Sequence, residues 1–571
     1  MSILQDFWCT DELALHTFAS LPAADLRNCA QVSRSFNRIA VQSILDQHKI
    51  WNAQRSAVFE LANNPNDLDG LSALLLSVHI KSMANVHFDL MKVVSLPSAV
   101  KTFHKMQRFV DRMASLHTVY VSWPSGAYQD RPVSDKMLVN AYKRVQEFLD
   151  TIISKGCIEL KFGHFNVFAS KYKLKKNPAI TAAEIPGAPA AGRGSIWESA
   201  REYLPFRHTR AAPDVLSPLS EEGNYCRKSS RFSISAPWMS LTPSPKLSQV
   251  TKVTTFCTYS TSVFRPPFSQ WTFALLQASP VTWMTLSIQD IPDDGVESKL
   301  ILDRLAEAIP DVTTLHLNGA RPGLMKDVVA WLRRFQQLQV LKIEPECFPA
   351  GTDIDDLELE ALARLPHISK LLSSSYFLCA YLASCRSVGG KSLPGRLKEV
   401  IMKHKWTSST RSAVLAFIKD VERLHNAILE AYPEPELRDL TLHILLCFDR
   451  FSDRAEALGR IWDRLDSRIL QPNDSDAQKP SIEAPPYFRP TKSQPLLCLE
   501  LLIPTATVDG IQRGAVDEEA IAFCRMFPTL RELMLCSPAA VVSPSPALPL
   551  RKERLDKIKS VCPELSYGWV Y

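Results

Sequence analysis

A run of the form apolar-x-x-apolar-x-apolar returns along this chain: Leu116, Val119, Val121; Trp283, Leu286, Ile288; Val312, Leu315, Leu317; Leu338, Leu341, Ile343; Leu397, Val400, Met402; Leu437, Leu440, Leu442; Leu496, Leu499, Leu501; and Leu530, Leu533, Leu535. The last two apolar positions of each run alternate, as a strand with one buried face requires. Upstream of several runs stands a stretch of helical periodicity and then a breaker: 302–309 before Pro310, 520–527 before Pro528, and 328–335 before Gln336-Gln337. Proline at that point ends a helix before the strand begins. The predicted unit is helix, turn, short strand.

From Leu286 through Leu315, Leu341 and Leu371 to Val400 the unit advances by 26 to 30 residues, with 368–373 the weakest member because it ends in Ser373 to Ser375. A unit this small cannot bury its apolar strand face alone, so neighbours must stack. The pattern looks like a degenerate leucine-rich repeat array. That resemblance implies an α/β fold, a curved solenoid whose parallel strands line the concave side. The residues between the apolar positions then point out of that side. Ser287, His316, Asn318, Lys342, Glu344, Lys403 and His443 are the candidate target-contacting set, with Thr285, Ile401, Thr441 and Met534 beside them.

Residues 9–40 follow a different pattern. Asp11 and Glu12 place negative charge where a helix would begin, and Leu13, Phe18 and Leu21 share much of one helical face. Pro22 and Asp25 turn the chain before a second segment that restarts at Leu26. A third segment sets Val32, Phe36, Ile39 and Ala40 at helical spacing, with Ser33, Arg34, Asn37 and Arg38 between them for solvent or a rim. Three short helices of about forty residues in all have little core, so such a module leans on a partner or on the rest of the chain.

Asp11-Glu12-Leu13, Phe18, Leu21-Pro22, Asp25-Leu26, Val32-Ser33-Arg34, Phe36 and Ile39-Ala40 together resemble the F-box, the motif by which substrate receptors dock on a Skp-type adaptor in a cullin-RING ubiquitin ligase. Two positions depart from the family pattern: Cys9-Thr10 stands where Leu-Pro is usual, and Phe36 where tryptophan is common. The resemblance implies docking through Leu13, Phe18, Leu21, Pro22, Leu26, Val32 and Phe36, an apolar set suited to an interface centre. It further implies a receptor that binds a target protein through its repeats, in partnership with an adaptor and a cullin scaffold. An interaction scaffold whose F-box no longer docks is the alternative.

The stretch 42–167 is expected to be mostly helical, with helical spacing over 71–80, 100–116 and 139–153 and a strand at 158–162. It is read as linker helices and irregular first repeats that hold the module against the solenoid. The expected division is therefore a helical module over 1–50, linker and first repeats over 51–176, a disordered insertion over 177–249, and repeats over 250–571 with loops at 471–494 and 537–549. Ser217-Pro218, Thr242-Pro243 and Ser244-Pro245 in the insertion are of the kind that proline-directed kinases modify.

Composition narrows this without redirecting it. A chain of 571 residues exceeds one compact core, and 46% hydrophobic with 22% charged residues is ordinary for a folded soluble protein. A net charge of +6 is mild and selects no partner class. Thirteen cysteines lie scattered without a CxxC pair or a zinc-type cluster, and read as thiols of a reducing compartment. Asp6 and Asp11 argue against a secretory leader, and no uninterrupted apolar stretch is long enough to span a membrane. The expected location is cytoplasm or nucleus.

Chemical motifs are weak. Gly389-Gly390-Lys391-Ser392 resembles the end of a phosphate loop, but Cys385 occupies the place of its first glycine. Asp290, Asp293, Asp294 and Gly295 are interrupted by Pro292 and closed by no glutamate, which does not make a calcium loop. Lys171, Lys173, Lys175 and Lys176 beside Tyr172 read as a solvated edge, so no nucleic-acid partner is expected. There is no HExxH, GxSxG or GxGxxG, and neither enzymatic activity, cofactor nor metal is expected.

Overall fold

A computed structural model describes residues 11–61, 70–90, 92–93, 95–123, 135–163, 172–174, 225–227, 251–264, 268–289, 296–319, 324–347, 365, 368–389, 397–406, 411–432, 440–448, 496–502, 511, 517, 520–521, 524, 530–536, 548–560 and 562–570. Several expectations fall outside these residues: Cys9-Thr10, the three Ser/Thr-Pro sites, the aspartates of 290–295, Lys391-Ser392, the loop 471–494 and most of 177–249 and 537–549. The chain divides into two compact units, Met1–Val312 and Thr313–Tyr571.

The first unit opens with three helices, α1 (Asp11–Ala19), α2 (Ala23–Cys29) and α3 (Arg34–Gln47). Strands and helices then alternate: β1 (Ser56–Glu60), α4 (Gly70–Leu76), β2 (Ser82–Asp89), α5 (Leu96–Arg112), β3 (Ser115–Ser122), α6 (Asp135–Ser154) and β4 (Glu159–Gly163). Two three-residue strands, β5 (Tyr172–Leu174) and β6 (Tyr225–Arg227), pair antiparallel with each other, the second of them inside the stretch expected to be disordered. Next come β7 (Thr255–Thr258), α7 (Ser269–Gln277), β8 (Trp283–Ser287) and α8 (Val296–Ala308). Strands β1, β2, β3, β4, β7 and β8 pair in that order, each parallel to the next. A parallel pair needs a crossover, and the helices supply most of them.

Two strands, β1 and β2, stand in the stretch expected to be mostly helical, at positions for which no strand was predicted. Ser56–Glu60 alternates in burial, but Val58 is apolar and 47% exposed, so the sequence shows an apolar triplet in place of an alternation. In β2, the exposed pair Ala84-Asn85 breaks the two-residue period between Met83 and Val86. The helices of this region were legible because their apolar stripe is wide. In α5, Ser95 caps the first turn by accepting the Ser98 N–H at 3.3 Å, Pro97 sits in that turn, and Ala99, Phe103, Met106, Phe109 and Val110 are buried. These helices bring phenylalanines onto strand phenylalanines. Phe88 has Phe59, Phe109 and Phe148 around it at ring separations of 5.8, 6.0 and 5.4 Å, and Phe103 stacks on Trp123 at 4.5 Å.

The second unit holds β9 (Thr314–Asn318), α9 (Met325–Leu332), β10 (Val340–Ile343), β11 (Lys370–Ser373), α10 (Ser375–Gly389), β12 (Glu399–Trp406), α11 (Arg411–Ala431), β13 (Thr441–Phe448), β14 (Leu496–Leu502), β15 (Glu532–Cys536), β16 (Leu548–Pro549), α12 (Lys552–Lys559) and β17 (Tyr567–Val570). Strands β9 to β15 pair in sequence order and parallel, and β15 continues parallel to β17; β16 runs antiparallel, on the far side of β17. Register puts Leu315, Leu341, Leu371, Val400, Leu442 and Leu497 in one row, so the sequence period corresponds to a physical row. That row, with Leu317, Ile343, Met402, Ile444, Leu499 and Leu533, is almost wholly buried. Removing so many apolar side chains from water is the main force holding these strands in phase. The weak unit at 368–373 also forms its strand, with Ser373 taking an apolar position and burying a hydroxyl that has no hydrogen-bond partner among the described residues.

Candidate functional sites: the N-terminal helices and an open strand face

The three N-terminal helices are arranged by their ends. Pro22 occupies the position before α2 with φ −64° and ψ 153°, so the helix starts at Ala23, earlier than Leu26, with Asp25 in its first turn. Ser33 caps α3 by accepting the Phe36 N–H at 3.2 Å. Phe18 meets Phe36 edge to face at 5.5 Å. Phe18 is 2% exposed and Leu26 is wholly buried, packed in a module whose core also contains Ile39, Ala40, Val41, Ile44 and Leu45.

The candidate docking set therefore divides. Phe18 and Leu26 face inward and hold the module together; Leu21 and Phe36 are half-buried; Leu13, Pro22 and Val32 lie on the surface, with Val32 69% exposed. Residues 11–49 match the F-box-like family model. No curated protein matches the chain.

One residue of the F-box-like module was misplaced by sequence reasoning. Asn37, expected at a solvent-facing rim, is 4% exposed. Its Nδ2 donates to the carbonyl of Ala30 at 2.8 Å, where α2 ends, and to that of Leu76 at 2.9 Å, where α4 ends; its Oδ1 accepts the Val78 N–H at 3.1 Å. Two helix C-terminal carbonyls without intrahelical partners are thus satisfied by one amide. The F-box-like module is in this way bonded to the elements that follow it. The only sequence signal was an asparagine on the side of α3 that continues into Ala40 and Ile44.

The second candidate site is the face of β9–β17 opposite the leucine rows. Here most of the candidate target-contacting residues come together. His316 Nε2 donates to Glu344 Oε1 at 2.7 Å, and Lys403 pairs with the other Glu344 oxygen. Burial alone would push the Glu344 carboxyl up, but the bond from His316 and the Lys403 ammonium overcome it and hold it at about 2. Lys370 pairs with Glu399 at 2.7 Å, and His443 lies 3.4 Å from the same carboxylate. Burial, aided by neighbouring Lys370, lowers the Lys342 ammonium, and burial likewise lowers His443 against the pull of Glu399. Asn318 sits at the end of β9 with a buried Oδ1 that has no hydrogen-bond partner among the described residues. Ser287 does not contribute: it is 8% exposed on β8, in the first unit, where Thr285 is buried too.

Among the described residues no group of three or more His, Cys, Asp or Glu is placed to hold a metal ion, and no helix is long and apolar enough to cross a membrane. Eleven described cysteines are unbridged. Burial raises most of their thiols, Cys157 and Cys379 to about 12, which keeps those two protonated and unreactive.

Proposed function

We propose that this chain is a substrate-recognition subunit of an SCF-type cullin-RING ubiquitin ligase. The F-box-like module docks on a Skp-type adaptor, and the strand-bearing units, stacked in the manner of leucine-rich repeats, hold a target protein. The observation that carries the reading is the F-box-like match over 11–49 on a module that leaves Leu13, Pro22 and Val32 at its surface. The chain's contribution to ubiquitin transfer is proximity: tethering raises the effective concentration of target lysines at the transfer machinery, so no side chain here takes part in bond making. Unbridged thiols suit the reducing cytosol or nucleus.

Co-purification with a Skp-type adaptor tests this. The chain is expected to retain the adaptor, and Leu13→Asp combined with Val32→Asp to weaken retention by at least about tenfold, since charge at an apolar interface centre costs that much or more. An adaptor held equally well by the double variant overturns the docking face. An adaptor not held by the natural chain overturns the ligase reading in favour of an interaction scaffold.

A further inference from the structure

The open face of β9–β17 is not uniform in charge. Glu344 and Glu399 are each flanked by two basic groups, whereas Glu500 and Glu532 are met by thiols: Cys536 donates to Glu500 at 3.2 Å and Cys498 to Glu532 at 3.4 Å. Among the described residues neither of these two carboxylates is in an ion pair, and the basic groups that act on them, His443 on both and Lys342 on Glu500, do so from farther off. A thiol is a weak donor, and burial together with the adjacent carboxylate raises both thiols, so both stay protonated and leave each carboxylate much of its accepting capacity.

Register places aromatic rings directly alongside. Glu532 is opposite Tyr567, and Glu500 is opposite Met534, which is opposite Trp569. Tyr567 and Trp569 lie nearly parallel, with ring centroids 6.5 Å apart and planes 15° apart, and Tyr567 is 56% exposed. Strands about 4.8 Å apart put both carboxylates and both rings within the reach of one short extended segment.

We propose that this strip binds a basic segment of a partner protein, whose lysine or arginine cations pair with Glu500 and Glu532 and lie over Tyr567 and Trp569. Carboxylates accept guanidinium or ammonium donors, and aromatic faces attract the same cations, so the two halves of the strip select one chemistry. An acidic or phosphorylated segment meets like charge here. The inference rests on reading this face as the target-holding surface, and is independent of whether the F-box-like module docks on an adaptor.

The test is fluorescence anisotropy of the purified full chain with a labelled synthetic peptide of alternating Arg or Lys and Ser, against a peptide with Glu at the same positions. The basic peptide binds and the acidic one does not. Glu500→Gln with Glu532→Gln weakens binding at least about tenfold, and Tyr567→Ala alone about threefold to fivefold. Glu60→Gln, at an exposed carboxylate paired with Lys92, is the control and leaves binding unchanged. Absence of binding to the natural chain, equal binding of the acidic peptide, or unchanged binding in both the Gln pair and Tyr567→Ala overturns the proposal. Adaptor co-purification, run on the same preparations, is expected to be unaffected by the Gln pair; its loss in the natural chain with peptide binding intact would remove the ligase reading alone.

Discussion

Residues 11–49 and the strands β9–β17 both carry apolar side chains at regular spacing, and they spend them differently. In the strands, the leucine rows are sealed on one side by register, so nearly every residue at those positions is buried. In the three-helix module, Phe18 and Leu26 are buried while Leu13 and Val32, at similar spacing, are 46% and 69% exposed. A strand between two partners has its apolar face fixed by its neighbours. A forty-residue module has too little interior for all its apolar residues, and those left outside become a surface. Apolar periodicity thus predicts burial in the strands and only a division of labour in the module.

The largest effect expected from this comparison is at Leu26. Leu26→Asp puts a carboxylate at a wholly buried site and is expected to cost on the order of 4 kcal/mol, enough to unfold the module. Limited proteolysis would show new cleavage confined to the first fifty residues, with adaptor binding lost as a consequence. A module that stays resistant would mean that Leu26 lies at the surface and that the inward half of the comparison is misassigned.

Asn37→Leu comes next, at about 2 to 3 kcal/mol, because it leaves the Ala30 and Leu76 carbonyls and the Val78 N–H without their side-chain partner. Faster hydrogen exchange at Val78 and a lower urea midpoint are the readouts. If exchange at Val78 is unchanged, the amide does not fasten the module to α4.

Much of this arrangement was legible in the sequence, for identifiable reasons. The row from Leu315 to Val400 was found because equal spacing in a stack of parallel strands is equal spacing in register. Helices α5 and α6 were found because their apolar stripes are wide. Strands β1 and β2 were missed because Val58 and Ala84-Asn85 blur a two-residue period, which short strands give few chances to show. The candidate target-contacting residues His316, Lys342, Glu344, Lys403 and His443 were placed on one face by alternation alone. Their pairings were not legible, since Lys403 reaches Glu344 from two strands away. Asn37 was missed because polarity says nothing of direction: a buried amide that closes two helix ends looks like a rim residue until the carbonyls it satisfies are in place.

The strand region is not wholly apolar on its sealed side, and His404 sharpens the contrast there. It follows Met402 on β12, with its ring 4.9 Å from that of Phe417 on α11. Burial lowers its pKa from 6.5 to about 4. The unfolded chain therefore takes up the proton first as pH falls, so this contribution to stability is complete above pH 6.5 and disappears progressively towards pH 4. By pH 5 the loss is about 2 kcal/mol. His404→Leu removes it, and the fall in urea midpoint between pH 7 and pH 5 is expected to shrink accordingly. Glu344, held at about 2, acts in a separate window below its ordinary 4.5, where stability declines as the pH falls. An unchanged pH 7 to pH 5 difference would show that His404 is open to water.

The smallest effect on stability is the most informative for docking. Leu13→Asp with Val32→Asp introduces two of the charges that Leu26 does not tolerate, into the same module, at sites already in water. The urea midpoint is expected to move by no more than about 0.5 kcal/mol, while the adaptor is lost. One substitution chemistry applied at inward and outward positions then separates folding from recognition within a single module. A double variant that unfolds would mean that Leu13 and Val32 are covered by this chain itself, and the proposed docking surface would have to be sought elsewhere on the module.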